Sequence, residues 1–159
     1  MAKIKKNGGC LCGKVRFKVH GEIVKSGVCH CRYCQLRSGS AFGVGVWFHM
    51  EDLTINKKKL KSYQFITENK NKFKTFFCNN CGTTLCWTLS HFPKNVVIAA
   101  GAFDPPHQWI KAQREIFSRS RMKFVSIKCA NTFKTSPTYQ PRKKDKPRLS
   151  GTWQSLKNH

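Results

Sequence analysis

Three cysteines lie within six residues in the first quarter of the chain: Cys29, Cys31 and Cys34, spaced C-x-C-x-x-C. A small, turn-prone segment, residues 38–40, follows them. Such spacing lets thiolate sulfurs from one tight turn converge on a single ion. Three ligands are one fewer than a structural zinc site uses, whereas catalytic zinc keeps a position for water or substrate. Either a fourth ligand comes from elsewhere in the chain, or this metal is open to chemistry.

Two further cysteine pairs lie far apart in the sequence. Cys10 and Cys12 form a C-x-C pair, and Cys78 and Cys81 form a C-x-x-C pair. A glycine follows each pair, which suits the tight backbone of a metal-binding turn. Together the two pairs supply four thiolates, enough for a closed site that joins the chain start to its middle. The seven cysteines therefore divide into four plus three, an inference from the count of ligands.

These motifs carry a family resemblance. They are Gly9-Cys10-Leu11-Cys12-Gly13, then Cys29-His30-Cys31-x-x-Cys34, then Phe77-Cys78-x-x-Cys81-Gly82-Thr83. In this order they resemble the glutathione-dependent formaldehyde-activating (GFA) family, also called the CENP-V/GFA domain. The resemblance covers roughly residues 5–112, where residues 100–105 and 107–110 look like the family's downstream strands.

The resemblance implies two zinc sites with different roles. By analogy with the family, the structural zinc is held by Cys10, Cys12, Cys78 and Cys81. The catalytic zinc is held by Cys29, Cys31 and Cys34. The implied activity is that of a carbon–sulfur lyase resembling S-(hydroxymethyl)glutathione synthase. Its partners are a small thiol such as glutathione and formaldehyde or a similar small electrophile.

The chain's length and its cysteine content limit the classes of protein to which it can belong. A chain of 159 residues is long enough for one domain with a core. It has no apolar run of about 18 residues, so we expect no membrane partner. The first six residues have the basic charge of a signal peptide, but polar residues 7–9 follow where an apolar segment would be needed. We therefore expect a cytoplasmic protein. There its nine cysteines, an odd number in clustered spacings, favour metal over disulfides.

A formal net charge of +23 attracts polyanions in general. This charge supports an alternative from another class, a zinc-stabilised binding module for nucleic acid or other polyanions. That module predicts a closed second zinc site and steeply salt-dependent binding. The lysines are scattered, however, and no recognised nucleic-acid-binding motif accompanies them.

Short strands with glycine and proline between them predict a mainly β domain. The resemblance adds a zinc-binding fold of several small, coiled and packed antiparallel sheets. Residues 34–37 are predicted to form one helical turn. Glycines in the strand over 42–48 predict a close backbone approach beside the metal loop. The predicted strands cover 14–20, 42–48, 53–55, 61–66, 72–77, 83–89 and 96–100.

We expect residues 1–133 to form the GFA-like zinc-binding domain and residues 134–159 to form a basic, proline-containing tail. The tail's composition cannot bury enough apolar surface to fold alone, although Trp153 and Leu156 could anchor it to the domain. Within the domain, Phe124–Ile127 is a candidate for one more strand.

Several other polar or reactive residues have an ordinary structural explanation. Cys86 lies in a predicted strand, and we interpret it as a buried core thiol. As a fourth ligand it would instead complete the coordination of the metal at Cys29, Cys31 and Cys34. Cys129 reads as a free thiol. His30 is expected to turn its ring away from the metal, either to support the ligands around it or to lie at the surface. Asp104 suits a turn as well as a catalytic role, and His91 and His107 carry no functional signal of their own.

Overall fold

The computed structural model describes residues 3–140, which form eleven strands, one α-helix and four short 3₁₀ turns. The strands and helix are β1 (Ile4–Gly9), β2 (Arg16–Gly21), β3 (Lys25–Cys29), α1 (Arg32–Ser38), β4 (Gly43–His49), β5 (Leu53–Ile55), β6 (Leu60–Ile66), β7 (Lys72–Cys78), β8 (Thr84–Leu89), β9 (Asn95–Ala99), β10 (Arg114–Ile116) and β11 (Asn131–Thr132). The mainly β prediction is confirmed.

The first sheet is small and antiparallel, with the strand order β1-β2-β5. In β2 exposed and buried side chains alternate, so that Phe17 and Val19 face the core while the polar residues between them face solvent. This period of two is the pattern that predicted the strand. The Phe17 ring packs edge-on against Phe103 at 5.3 Å, which helps to join this sheet to the rest of the core.

The second sheet has eight strands in the order β11-β10-β3-β4-β9-β8-β7-β6. The pairings from β3 to β6 are antiparallel, whereas β10 pairs in parallel with both β3 and β11. Strands β8 and β9 each contain three consecutive buried residues. Such continuous burial is expected for central strands covered on both faces.

The sequence prediction differs from the structure at several elements. The single turn predicted over 34–37 is part of the seven-residue helix α1, which ends at Gly39 in the left-handed conformation (φ 64°). The strand predicted at Phe124–Ile127 is wrong, because Phe124 lies in a turn with 81% of its surface exposed. The segments expected to resemble downstream strands form instead a 3₁₀ turn at 100–102 and a turn at 107–110. Strands β1, β3, β10 and β11 were not predicted.

The segment 134–140 lies against the domain. The Asn69 side-chain amide donates a hydrogen bond to the Thr138 carbonyl oxygen at 3.1 Å, and the Gln140 amide donates one to Asn69 Oδ1 at 3.2 Å. The Tyr139 ring packs edge-on against Phe117 at 5.3 Å. The rest of the expected tail, including Trp153 and Leu156, lies outside the described residues.

No helix within residues 3–140 is long and apolar enough to cross a membrane.

Candidate metal centres and the adjoining cavity

Two hairpin turns bring four cysteines together. Cys10 and Cys12 lie in the turn between β1 and β2, whereas Cys78 is the last residue of β7 and Cys81 lies in the turn that leads to β8. Each turn ends in a glycine with φ of +73°, Gly13 in one and Gly82 in the other. A side chain would be strained in that conformation. The two glycine amides donate matching hydrogen bonds, 3.0 Å to the Cys10 carbonyl and 3.1 Å to the Cys78 carbonyl.

The four sulfurs of this cluster, which we call the four-cysteine cluster, fit a tetrahedral metal ion. The Sγ atoms of Cys10 and Cys12 lie 3.5 Å apart, those of Cys12 and Cys78 lie 3.8 Å apart, and all four lie within 4.8 Å of one another. A zinc–sulfur bond of about 2.3 Å in a tetrahedron separates neighbouring sulfurs by about 3.8 Å. The donor set and its spacing therefore suit a closed, zinc-like site.

Hydrogen-bond donors around the four-cysteine cluster favour thiolates. The Val15 amide donates to Cys10 Sγ at 3.2 Å, and the Asn80 amide donates to Cys78 Sγ at 3.4 Å. The Thr83 hydroxyl lies 3.2 Å from Cys81 Sγ, and this contact is the main reason why the pKa of Cys81 is lowered to about 5. Deprotonated sulfur is the form that binds metal.

The second cluster, which we call the triplet, forms where β3 meets α1. Cys29 is the last residue of β3, Cys31 is the N-cap of α1, and Cys34 lies in its first turn. Their three sulfurs also lie within 4.8 Å of one another. Gly43 at the start of β4 makes room for Cys34 and Arg37, since a Cβ there would lie 3.2 Å from Cys34 Cβ and 2.7 Å from Arg37 Nη2. The close backbone approach predicted from the β4 glycines is therefore confirmed.

The electrostatics of the triplet suit a bound cation. Hydrogen bonds from Cys29 and Cys31, and secondarily the charge of Arg37, lower the pKa of Cys34 well below its usual value. Burial raises the pKa of Cys31 well above its usual value. A buried group of three sulfurs thus stabilises one negative charge readily but not three. A positive ion would be needed to hold all three as thiolates.

The two remaining cysteines lie outside both clusters. Cys86, in β8, is packed in the main core, and burial raises its thiol pKa to about 12. Cys129 donates a weak hydrogen bond from Sγ to the Ala112 carbonyl oxygen at 3.2 Å. Within residues 3–140 the triplet therefore offers three cysteine sulfurs and no fourth side chain suited to a metal, and Cys86 is the core thiol that the sequence predicted.

A buried charged network supports the triplet from behind. His30 is fully buried, its backbone amide donates to the Ile116 carbonyl at 3.1 Å, and its Nε2 lies 2.9 Å from Glu115 Oε1. The Glu115 carboxylate also accepts hydrogen bonds from Arg121 at 3.1 Å and from Thr132 at 2.9 Å. Burial alone raises the pKa of Glu115, but the hydrogen bonds outweigh it and leave that pKa below its usual value. Of the two expectations for His30, a surface position is wrong because the side chain is fully buried, and the supporting position agrees with these contacts.

A cavity of about 230 Å³ opens directly onto the triplet. The described residues that line it include all three triplet cysteines and none of the four-cysteine cluster. Rings form much of the remaining wall: Phe73 stacks on Phe65 at 4.9 Å and faces Trp87 at 6.2 Å. Residues 136–139 contribute the wall that comes from the chain's C-terminal part. The triplet thus adjoins a partly apolar space of the kind that holds small ligands.

The other polar candidates lie elsewhere or play ordinary roles. Asp104 forms an ion pair with Arg16 on β2, and its amide donates to the Asn7 carbonyl at 2.9 Å. The His107 Nε2 lies 2.8 Å from the Phe103 carbonyl oxygen. His91 does line the cavity, where burial and then the nearby charge of Lys25 lower its pKa.

Sequence reasoning missed the residues that the parallel strand β10 brings to the site. Glu115 carried one signal that could have found it, because the chain has only seven acidic residues against thirty basic ones. A rare acid in such a chain is more often paired than solvated. Lys25 and Arg114, which also line the cavity, carried no such signal among so many cations.

Comparisons with known proteins identify a family and a similar solved structure. The model of the family described as glutathione-dependent formaldehyde-activating enzyme matches residues 5–120. The chain is also similar to the crystal structure of a Rhodobacter sphaeroides protein, with a TM-score of 0.51 and 23% sequence identity. That similarity covers 63% of this chain and 89% of the other, and at such identity it shows the fold alone. No curated protein matches this chain.

Proposed function

The chain belongs to the glutathione-dependent formaldehyde-activating enzyme family, and from that membership we propose that it is a zinc-dependent carbon–sulfur lyase. The reaction proposed is the reversible addition of glutathione, or a similar thiol, to formaldehyde or another small electrophile. A carbon–sulfur bond forms between the thiol sulfur and the carbonyl carbon. The carbonyl π electrons move to oxygen, and the proton lost by the thiol ends on that oxygen. The product is S-(hydroxymethyl)glutathione.

The single observation that carries the proposal is the position of the triplet. Its three sulfurs converge within 4.8 Å, at the wall of a cavity that can admit a second molecule. In this proposal Cys29, Cys31 and Cys34 hold the catalytic zinc. Bound there, zinc would supply a Lewis acid that lowers the pKa of a thiol and so makes it a better nucleophile.

The chain's own residues would do the rest. The aromatic wall formed by Phe73 and Trp87 would exclude water from the reacting groups. The confined cavity would hold thiol and electrophile together, which replaces a bimolecular encounter with a positioned one. Arg37, whose guanidinium lies 3.7 Å from the Trp87 ring centroid, places a positive charge behind Cys34.

The four-cysteine cluster has a different proposed role. Cys10, Cys12, Cys78 and Cys81 would hold a structural zinc, because four sulfurs at tetrahedral spacing leave no position for a substrate. We also propose a cytoplasmic location, where thiols stay reduced and available for metal. The rival polyanion-binding module requires a closed second site, and the three-sulfur triplet beside a cavity favours the enzyme instead.

The test compares the rate of exchange between glutathione and formaldehyde by NMR, because the two also react without a catalyst. Wild-type zinc-loaded protein is expected to accelerate the exchange, and Cys31→Ser at matched concentration is expected to reduce it to the uncatalysed rate. Cys129→Ser is the matched control, since Cys129 lies outside both clusters. Equal rates for wild type and Cys31→Ser would reject the proposed activity.

A further inference from the structure

Strand β3 carries two features on one face. Lys25, Gly27 and Cys29 alternate along the strand, share its partly exposed face and all line the cavity. A strand rises about 3.3 Å per residue. The backbone of Gly27 therefore lies about 7 Å from that of Cys29, and the backbone of Lys25 lies about 13 Å from it. One face of β3 thus forms a straight row of cavity-lining residues that ends at the triplet.

The Arg114 side chain crosses this face of β3. Arg114, the first residue of β10, pairs with Gly27 in the parallel register. A Cβ on residue 27 would lie 2.6 Å from Arg114 Cγ, a separation that real side chains do not tolerate. Because residue 27 is glycine, the Arg114 side chain can pass directly over β3 and reach the cavity that it lines.

Lys25 is held nearby in an aromatic frame. Its ammonium lies 3.7 Å from the Trp47 ring centroid and 3.9 Å from that of Phe92. Burial, and then the positive charge of Arg114, lower the pKa of Lys25. The two cations are therefore close enough to repel each other, and such an arrangement stabilises an anion placed between them.

Neither cation has a carboxylate partner in the part of the chain that the structure describes. Glu68 is the acidic residue among those that line the cavity, and no ion pair joins it to Lys25 or Arg114. Two positioned cations on one wall, neither of them ion-paired with another residue of 3–140, are matched to a negatively charged ligand.

We propose that Arg114 and Lys25 bind a carboxylate of the thiol substrate while its sulfur reaches the triplet. The proposal rests on the proposed function, and it deepens it by naming the determinants of the substrate class. The distance along β3 between these cations and the triplet requires an anionic group several bonds away from the substrate sulfur. The site would therefore select an extended acidic thiol, such as a peptide thiol with free carboxylates, over small neutral thiols.

The first experiment measures kcat and KM of the zinc-loaded full-length protein with glutathione and with glutathione diethyl ester, whose carboxylates are neutral. We expect wild type to prefer the free acid by at least about tenfold in kcat/KM. Arg114→Gln and Lys25→Met should each raise KM for glutathione about 10- to 100-fold, the range for a lost hydrogen bond to a charged group. Their kinetics with the ester should stay within about twofold of wild type, since the ester lacks the charge that the cations bind.

Two further variants control this result. Lys61→Met removes an exposed lysine from β6, so it tests whether net charge alone matters, and it should leave both substrates unaffected. Arg114→Lys keeps the charge and should recover part of the glutathione KM, which a merely structural role would not predict. Equal losses with acid and ester, or no loss with glutathione, would overturn the proposal.

A binding measurement separates this proposal from the proposed activity. S-methylglutathione keeps both carboxylates but has no thiol and cannot react. Calorimetry with this compound therefore measures binding through the carboxylate contacts alone. Binding by wild type that is weakened at least about tenfold in Arg114→Gln would support the carboxylate site even if no exchange is catalysed. Catalysed exchange with S-methylglutathione binding unchanged in Arg114→Gln would reject the carboxylate site alone. Absence of S-methylglutathione binding to wild type would also reject it.

Discussion

At the scale of single residues, the same side chain behaves in opposite ways according to its neighbours. Cys81, beside the Thr83 hydroxyl, has its pKa lowered to about 5, whereas Cys86, in the apolar core, has its pKa raised to about 12. The two sulfurs belong to neighbouring parts of one hairpin. Donors that point at sulfur, and not the cysteine itself, therefore distinguish a metal ligand from a core thiol.

We predict that Cys86→Ala leaves the metal content unchanged and costs about 1 kcal/mol of unfolding free energy, the loss of one small buried group. Cys78→Ser is the matched comparison: it should remove one metal ion per chain and unfold much of the domain, because metal binding to such a site is part of the folding free energy. Elemental analysis and thermal unfolding measure both. Loss of metal in Cys86→Ala, or wild-type metal content and stability in Cys78→Ser, would contradict the ligand assignment.

At the scale of elements, the three-residue strand β10 places side chains beside the site from both of its faces. Arg114 lines the cavity, and the next residue, Glu115, points to the opposite face and is fully buried behind the triplet loop. Sequence patterns predicted β2, β7 and β8, because residue types within each strand and turn residues beside the cysteine pairs are local signals. They could not predict β10, because its residues pair in parallel with partners 87 positions earlier and the strand is too short to show a period.

We predict that Glu115→Gln lowers the free energy of unfolding by about 1–3 kcal/mol, since it weakens charge-assisted hydrogen bonds with His30 and Arg121 in a buried setting. Urea unfolding of the metal-loaded protein at neutral pH measures the change. Glu51→Gln, which alters an exposed acid in a 3₁₀ turn, is the control and should shift stability by less than about 0.5 kcal/mol. An unchanged midpoint for Glu115→Gln would show that the network does not stabilise the fold.

At the scale of the whole molecule, the four-cysteine cluster joins the three-stranded sheet to the eight-stranded sheet. The cysteine motifs predicted this link from ligand count, and the mainly β class followed from short strands and turn residues. The strand order of the large sheet could not be derived in the same way, since it depends on pairings between distant segments. The division into a domain over 1–133 and a tail over 134–159 stays a prediction, although residues 136–139 do line the cavity.

We predict that a chain ending at residue 133 keeps its metal and its fold but binds the thiol substrate more weakly. The candidate metal ligands all precede residue 82, whereas residues 136–139 supply one wall of the cavity and the contact between Tyr139 and Phe117. Metal analysis, circular dichroism and the KM for glutathione test these points, with full-length Tyr139→Ala as the comparison. Insolubility or metal loss on truncation would show that the segment belongs to the folding unit.

The distance in sequence between the ligands of the four-cysteine cluster has a consequence for biosynthesis. Cys12 and Cys78 are 66 positions apart, and the triplet lies within the loop that they close. A ribosome adding about 5–20 residues per second releases Cys34 several seconds before Cys81. The triplet, closed by a short local loop, can capture an ion during that interval, while Cys10 and Cys12 still lack their partners. In each newly made chain the open centre would therefore be loaded first, and the centre that joins the sheets would be loaded last.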